Sequence, residues 1–219
     1  MKVTFVRHGA NQFTGSPRLV GRTDVPLSEL GKKQADAVAA RLAGRLFDAL
    51  WSSPLQRCAD TARTIGARVD LEPLFDARLL EVNLGKLEGL SFGDLPNGPK
   101  TFRERWGKRP GTTRFPGGET IAQCGARGWK VLEELYDRYP DGHVVVVCHM
   151  FAIQAMLARI FLLKPHLFRT FAIDVASLTT VQMAKGGFRL LQLNDVSHLD
   201  SLPVSPTMTP AALPARIRP

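Results

Sequence analysis

The sequence is poor in the residues that build most redox, metal and nucleotide sites. It holds three cysteines, Cys58, Cys124 and Cys148, an odd number at wide spacing. That excludes a disulfide framework and fits a reducing, cytoplasmic compartment. No Cys-x-x-Cys pair and no His-Glu-x-x-His run occurs, so no metal site is expected. A cysteine-nucleophile phosphate loop needs an arginine a fixed spacer after its cysteine. The residues at that spacing are Thr64, Lys130 and Gln154, so all three cysteines fail. A Walker-type phosphate loop is absent too. Met1-Lys2 runs into Val3-Thr4-Phe5-Val6, too short for a signal-peptide core. The longest apolar stretch, Val144 to Leu163, is interrupted by His149, Gln154 and Arg159, which argues against a membrane span.

What is present is an ordinary globular composition with a basic excess. The 219 residues are 44% hydrophobic and 22% charged, with a net charge of +9. That length fits one domain with a substantial core, or a domain plus a tail. The positive charge suits an anionic ligand without naming it. A phosphate ester, an acidic membrane and a nucleic acid are all served equally, and most of the charge is expected to be solvated surface.

The chain alternates strand and helix signals. Lys2–Val6 reads as a buried strand, followed by a Gly-, Pro- and polar-rich functional loop from Gly9 to Pro26. Ser28 caps a helix whose apolar positions run through Ala35, Val38, Leu42 and Leu46. Ala49-Leu50-Trp51 is a second strand, and Ser53-Pro54 opens a second helix. Gly117-Gly118 precedes a long amphipathic helix carrying Ile121, Leu132 and Leu135. The β-branched run His143–Cys148 reads as a central strand, with a helix after it to about Leu163. A hairpin at Lys185-Gly186-Gly187 joins two last strands. This order predicts an α/β/α sandwich around a mostly parallel sheet with an antiparallel edge. The expected domain covers residues 1–200 with a cap-like insertion at about 90–116. A mobile Pro-rich tail is expected over 201–219.

Ligands of open α/β sheets bind beyond the carboxyl ends of the strands. Two strands here end in histidine, at His8 and His149, and Arg7 and Arg57 can reach the same region. Two imidazoles and two guanidiniums around one point describe a phosphate site, because the arginine fork matches phosphate oxygens. A neutral imidazole can take the phosphoryl group and divide one displacement into two. Glu81, in a loop-like segment, is the best carboxylate for the leaving oxygen, with a pKa raised by burial.

Five motifs occur in order: Arg7-His8-Gly9, Ser52-Ser53-Pro54-Leu55-Gln56-Arg57, the Glu81 segment ending in Glu88-Gly89, Pro116-Gly117-Gly118-Glu119-Thr120 and Val145-Val146-Val147-Cys148-His149. In these the chain resembles the histidine phosphatase, or phosphoglycerate-mutase-like, superfamily over residues 1 to 200. The resemblance implies that His8 is phosphorylated, that Arg7, Arg57 and His149 bind the phosphoryl group, and that Glu81 donates the proton. It implies no metal or nucleotide cofactor. Ala10, Thr14 and Met150-Phe151 depart from the family pattern; Thr14 and Asn11 are expected to help bind the substrate.

The Pro-Gly-Gly-Glu segment and the short stretch from Leu90 to Phe115 resemble the branch of α-ribazole and broad-specificity phosphatases. The expected partner is a small phosphate ester rather than nucleic acid or membrane, with a homodimer left open. One alternative is a cofactor-primed phosphoglycerate mutase, with Arg103, Arg105, Lys108 or Arg109 binding a second anion. Another is a catalytically weak module that binds phosphorylated or nucleic-acid ligands. Trp106 stands out as a candidate substrate contact, whereas Trp51 and Trp129 read as core. Glu119 reads as a helix N-terminal residue favoured by the macrodipole.

Overall fold

A computed structural model describes residues 1–98 and 100–203. The expected tail beyond residue 203 lies outside the described residues. The strands are β1 (Lys2–Arg7), β2 (Ala49–Ser52), β3 (Leu74–Phe75), β4 (His143–Cys148), β5 (Leu178–Ala184) and β6 (Gly187–Asp195). The helices are α1 (Glu29–Leu42), α2 (Gln56–Val69), α3 (Phe102–Lys108), α4 (Ile121–Arg138) and α5 (Met150–Ile160). The sheet order is β3-β2-β4-β1-β5-β6. The pairs β3–β2, β2–β4 and β4–β1 are parallel, and β5 and β6 add the antiparallel edge.

The period-2 alternation of β4 explains the layers. Val144, Val146 and Cys148 face one core with α4 and α5, among them Leu132, Leu135, Ile153 and Met156. Val145 and Val147 face the other core with Val38 and Leu42 of α1 and Ala62 and Ile65 of α2. A strand buried on both faces must be apolar throughout, which is why this run showed in the sequence.

Helix ends follow local chemistry. Ser28 accepts from Gly31 N and starts α1, as expected. That helix stops at Leu42 and does not reach Leu46, because Gly44 takes φ +74° and turns the chain away. Leu46 is left 92% exposed. Helix α4 starts at a reciprocal capping box between Thr120 and Gln123, worth about 1 kcal/mol. The stretch expected as cap-like carries helix α3. Its aromatic residues Phe102, Trp106 and Phe115 stack on one another, and Trp106 also meets Phe168.

Candidate active site

Strands β1 and β4 are parallel neighbours with Arg7 opposite Cys148, so both chains leave the sheet at the same edge. His8 N–H donates to the Cys148 carbonyl at 3.1 Å. The rings of His8 and His149 then stand edge to face, 5.2 Å apart. The chain after His8 runs against the start of α1, and at Gly31 any side chain would overlap the Ala10 carbonyl. That backbone-to-backbone approach keeps the loop after β1 low and the imidazole in place.

The tautomer of His8 follows from its partners. Nδ1 lies 2.7 Å from the Gly9 carbonyl oxygen, which can only accept, so Nδ1 carries the proton. Nε2 therefore keeps a lone pair, and Arg57 Nε–H donates to it at 3.2 Å. Burial, then the nearby Arg57 and Arg7 guanidiniums, holds the His8 pKa well below the usual imidazole range. The ring is neutral at physiological pH, with its free nitrogen facing two cations.

Arg57 is fully buried on the first turn of α2. Its Nη1 and Nη2 donate to the carbonyls of Thr23 and Gly21 at 2.9 and 2.7 Å. Those carbonyls are held in turn by Glu88, whose carboxylate accepts from Gly21 N, Arg22 N and the Thr23 hydroxyl. Arg7 donates from Nη1 to the Ile173 carbonyl at 2.8 Å. Its Nε is a buried donor with no hydrogen-bond partner among the described residues. Burial pulls the Arg7 pKa down to about 10, so it remains a cation. An unpaired buried guanidinium nitrogen beside His8 is suited to an anion.

Glu81 is 5% exposed and sits at the N-terminus of α5. Oε1 accepts from Val82 N at 2.8 Å and Ala152 N at 3.1 Å, and Oε2 accepts from Phe151 N at 3.1 Å. Burial still outweighs these donors and raises its pKa. Behind it, Arg22 Nε and Arg127 Nη2 both donate to the Glu81 carbonyl, at 3.2 and 2.9 Å. Glu119 joins those two arginines and also accepts from Asn83 N at 2.9 Å.

Arg7, His8, Asn11, Thr14, Arg57 and Glu81 all line one cavity of about 330 Å³. His149 does not line it. Its ring is fully buried behind His8, with Nε2 2.8 Å from Ser53 Oγ and 3.4 Å from Cys58 Sγ. Asn11 and Thr14 hold each other: Asn11 N donates to the Thr14 hydroxyl at 2.9 Å, and Phe13 N donates to Asn11 Oδ1 at 2.8 Å.

Several other expectations are corrected. Trp106 is 5% exposed in an aromatic cluster and does not line the cavity. The cap cations also face elsewhere: Arg103 reaches the Gly93 carbonyl, Arg105 the Lys100 carbonyl and Lys108 the Glu104 carboxylate. Glu119 is not only a helix-end carboxylate but a bridge between two arginines. Trp129 is half-buried and packs against the core, as expected, with its indole donating to Glu133. The sequence singled out neither Arg22 nor Arg127. The only signal for Arg22 was its place in the polar loop before Pro26; Arg127 looks like any helix surface charge. Met150 and Phe151 do line the cavity.

Residues 3–196 match the model of the histidine phosphatase superfamily, branch 1. The chain belongs to that superfamily. It is 33% identical to phosphoserine phosphatase 1 of Hydrogenobacter thermophilus over 91% of this chain and 94% of the relative. It is 28% identical to a probable phosphoglycerate mutase GpmB of Yersinia enterocolitica, over 91% of this chain and 95% of that one. Among solved structures, a mycobacterial glucosyl-3-phosphoglycerate phosphatase superposes with a TM-score of 0.79 at 30% identity, covering 88% of this chain and 98% of that one. The superfamily and its α/β fold are those that the five motifs implied; the sheet's sixth strand, the two-residue β3, was not among the strands read from the sequence. Among the described residues no helix is long and apolar enough to cross a membrane.

Proposed function

We propose that this protein is a phosphatase that hydrolyses small phosphate monoesters through a phosphohistidine on Nε2 of His8. The protonation state of His8 carries the reading: Nδ1–H donates to the Gly9 carbonyl, which leaves the lone pair on Nε2, towards Arg57. In the first step that lone pair forms a bond to phosphorus while the bond from phosphorus to the ester oxygen breaks. Arg57 Nε–H passes from the lone pair to a phosphoryl oxygen, and Arg7 supplies a second cation. Protonated Glu81 gives its proton to the departing oxygen, releasing the alcohol. In the second step the Glu81 carboxylate takes a proton from water, the water oxygen bonds to phosphorus, and the P–N bond breaks. Phosphate leaves and His8 regains its lone pair.

The charge on the phosphoryl oxygens is met by guanidiniums, so the scheme asks for no metal. His149 is assigned to the phosphoryl site from behind, with the longest reach because Ser53 and Cys58 hold its ring. Asn11 and Thr14 are assigned to the loop that closes the phosphate side, where their mutual hydrogen bonds set its shape. Three free, buried thiols support a reducing, cytoplasmic setting. The relatives named as phosphatases support hydrolysis. The relative named as a probable mutase supports a second reading, in which the phosphoryl group returns to a substrate. Against it, none of the cap cations Arg103, Arg105, Lys108 and Arg109 lines the cavity.

The test is to trap the enzyme during turnover and probe for acid-labile, base-stable phosphate. His8→Ala is expected to lose both the trapped label and about 10³-fold or more of phosphate release. Full activity in that variant rejects the nucleophile. With 3-phosphoglycerate and a bisphosphoglycerate primer, isomerisation faster than phosphate release establishes the mutase instead.

A further inference from the structure

The cavity has two halves of different chemistry. The inner half holds Arg7, His8, Arg57 and Glu81. The outer half is walled by apolar side chains from three separate segments. Phe13 and Leu19 come from the loop after β1, Met150 and Phe151 from the start of α5, and Leu199 and Leu202 from the chain after β6. At about 330 Å³ the whole space falls in the range of ~300–1,000 Å³ that accepts drug-sized ligands. A three-carbon phosphate ester would leave much of the outer half empty.

The polar groups of the outer half are largely committed to the protein. Asn11 Oδ1 accepts from Phe13 N, and the Thr14 hydroxyl accepts from Asn11 N. Ser16 Oγ accepts from Arg18 N at 3.3 Å. Asp174 Oδ2 accepts from the Asn194 side-chain amide at 2.8 Å. The Thr14 and Ser16 hydroxyls still have a hydrogen to donate, so the polar rim is not silent, but it is outnumbered by the apolar wall.

Charge adds a second, independent argument. Apart from the inner arginines, the wall among the described residues carries one cation, Arg18, against the carboxylates Asp174 and Asp200. Arg18 is exposed and already donates to the Gly89 carbonyl at 3.0 Å. A substrate with its own carboxylate or second phosphate would meet two acidic groups for one basic group there.

Building on the phosphatase reading, we propose that the alcohol part of the substrate is apolar: an alkyl or arylalkyl group, with no acidic substituent, that fills the outer half of the cavity. Once the phosphoryl group is anchored between Arg7 and Arg57, the chain attached to the ester oxygen can rest on the Phe13, Leu19, Phe151 and Leu199 walls. Each buried methylene should then improve transition-state binding by a constant factor.

The test uses the full chain and a series of n-alkyl phosphates from ethyl to hexyl, all with leaving groups of similar basicity. O-phosphoserine, 3-phosphoglycerate, glucose 6-phosphate and phosphoethanolamine are run beside them. Expected is a rise in kcat/KM of about fourfold per added methylene, with hexyl phosphate above all four polar esters. Phe13→Ala and Leu199→Ala, on separate segments, should each flatten the dependence on chain length. Turnover with a flat alkyl series overturns the apolar assignment and leaves the phosphatase reading standing. So does a polar ester that outruns hexyl phosphate; phosphoethanolamine in first place would mean that the acidic rim selects. No phosphate release from any ester, with no trapped phosphohistidine, defeats both.

Discussion

Glu81 and Glu119 are two carboxylates fastened to the same stretch of chain, and their surroundings push them in opposite directions. Among the described residues, the Glu81 carboxylate oxygens accept only from backbone N–H groups, those of Val82, Phe151 and Ala152. Burial prevails there, and its pKa rises. Glu119 is also partly buried, but Arg127 and Arg22 donate to it directly, and its pKa falls below the usual carboxylate range despite the burial. Neutral donors fix the position of a carboxylate without cancelling its reluctance to ionise. Guanidiniums fix the position and cancel the reluctance. The first arrangement suits a group that must hold and release a proton. The second suits a strut.

The largest break in this contrast comes at Glu81. Glu81→Gln keeps the shape and removes the proton, so kcat on alkyl phosphates should fall by about 10²–10⁴-fold. The first step needs protonated Glu81. In the native enzyme its rate should therefore decline as pH rises through the raised Glu81 pKa. In the variant that limb should vanish from a single-turnover pH profile. A limb unchanged in Glu81→Gln would assign the proton to another group.

Glu119→Gln should have a smaller effect of another kind. The amide oxygen can still accept from Asn83 N, but Arg22 and Arg127 lose their shared anion. We expect a loss of about 2 kcal/mol in urea unfolding, the scale of a hydrogen bond to a charged group. Through the Glu81 carbonyl that both arginines hold, kcat should fall about tenfold with KM little changed. Linkage gives the sign. The depressed pKa of Glu119 contributes stability above its unfolded value, and this is lost as pH falls through the folded one. The stability gap between native and variant should thus narrow towards acid pH. Glu81, with its raised pKa, runs the other way: its contribution is present below the unfolded carboxylate pKa and is lost as pH rises through the folded one. A gap for Glu119 that widens in acid would refute the strut.

These two glutamates also mark how far the sequence could be read. The strand ends were legible because a doubly buried strand must be apolar, and the histidine that breaks such a run stands out. That reasoning needed the strands of His8 and His149 to be neighbours; they are, and the rings lie 5.2 Å apart, but only His8 lines the cavity. Glu81 was legible as a carboxylate in a loop, within a motif. The support behind it was not. Arg22, Glu81, Glu119 and Arg127 lie on four separate segments, and each looks in isolation like a solvated charge. Trp106 failed for the converse reason. Its neighbours in sequence are basic, but its neighbours in space are Phe102, Phe115 and Phe168. The outer wall of the cavity was hidden as well, because Leu199 and Leu202 lie where the pattern fades into the expected tail.

The smallest effect sharpens the contrast from the far side of the molecule. Arg105 donates to the Lys100 carbonyl and is exposed, and neither it nor Arg109 lines the cavity. If the reaction draws only on cations that converge on His8, then Arg105→Ala and Arg109→Ala should change kcat/KM on 3-phosphoglycerate and on butyl phosphate by less than about twofold. That is the ordinary size of a solvent-screened charge well away from the reacting group. A selective loss on 3-phosphoglycerate, with butyl phosphate untouched, would show that the cap reaches the substrate during turnover. It would also return the second-anion reading to the basic stretch where the sequence first suggested it.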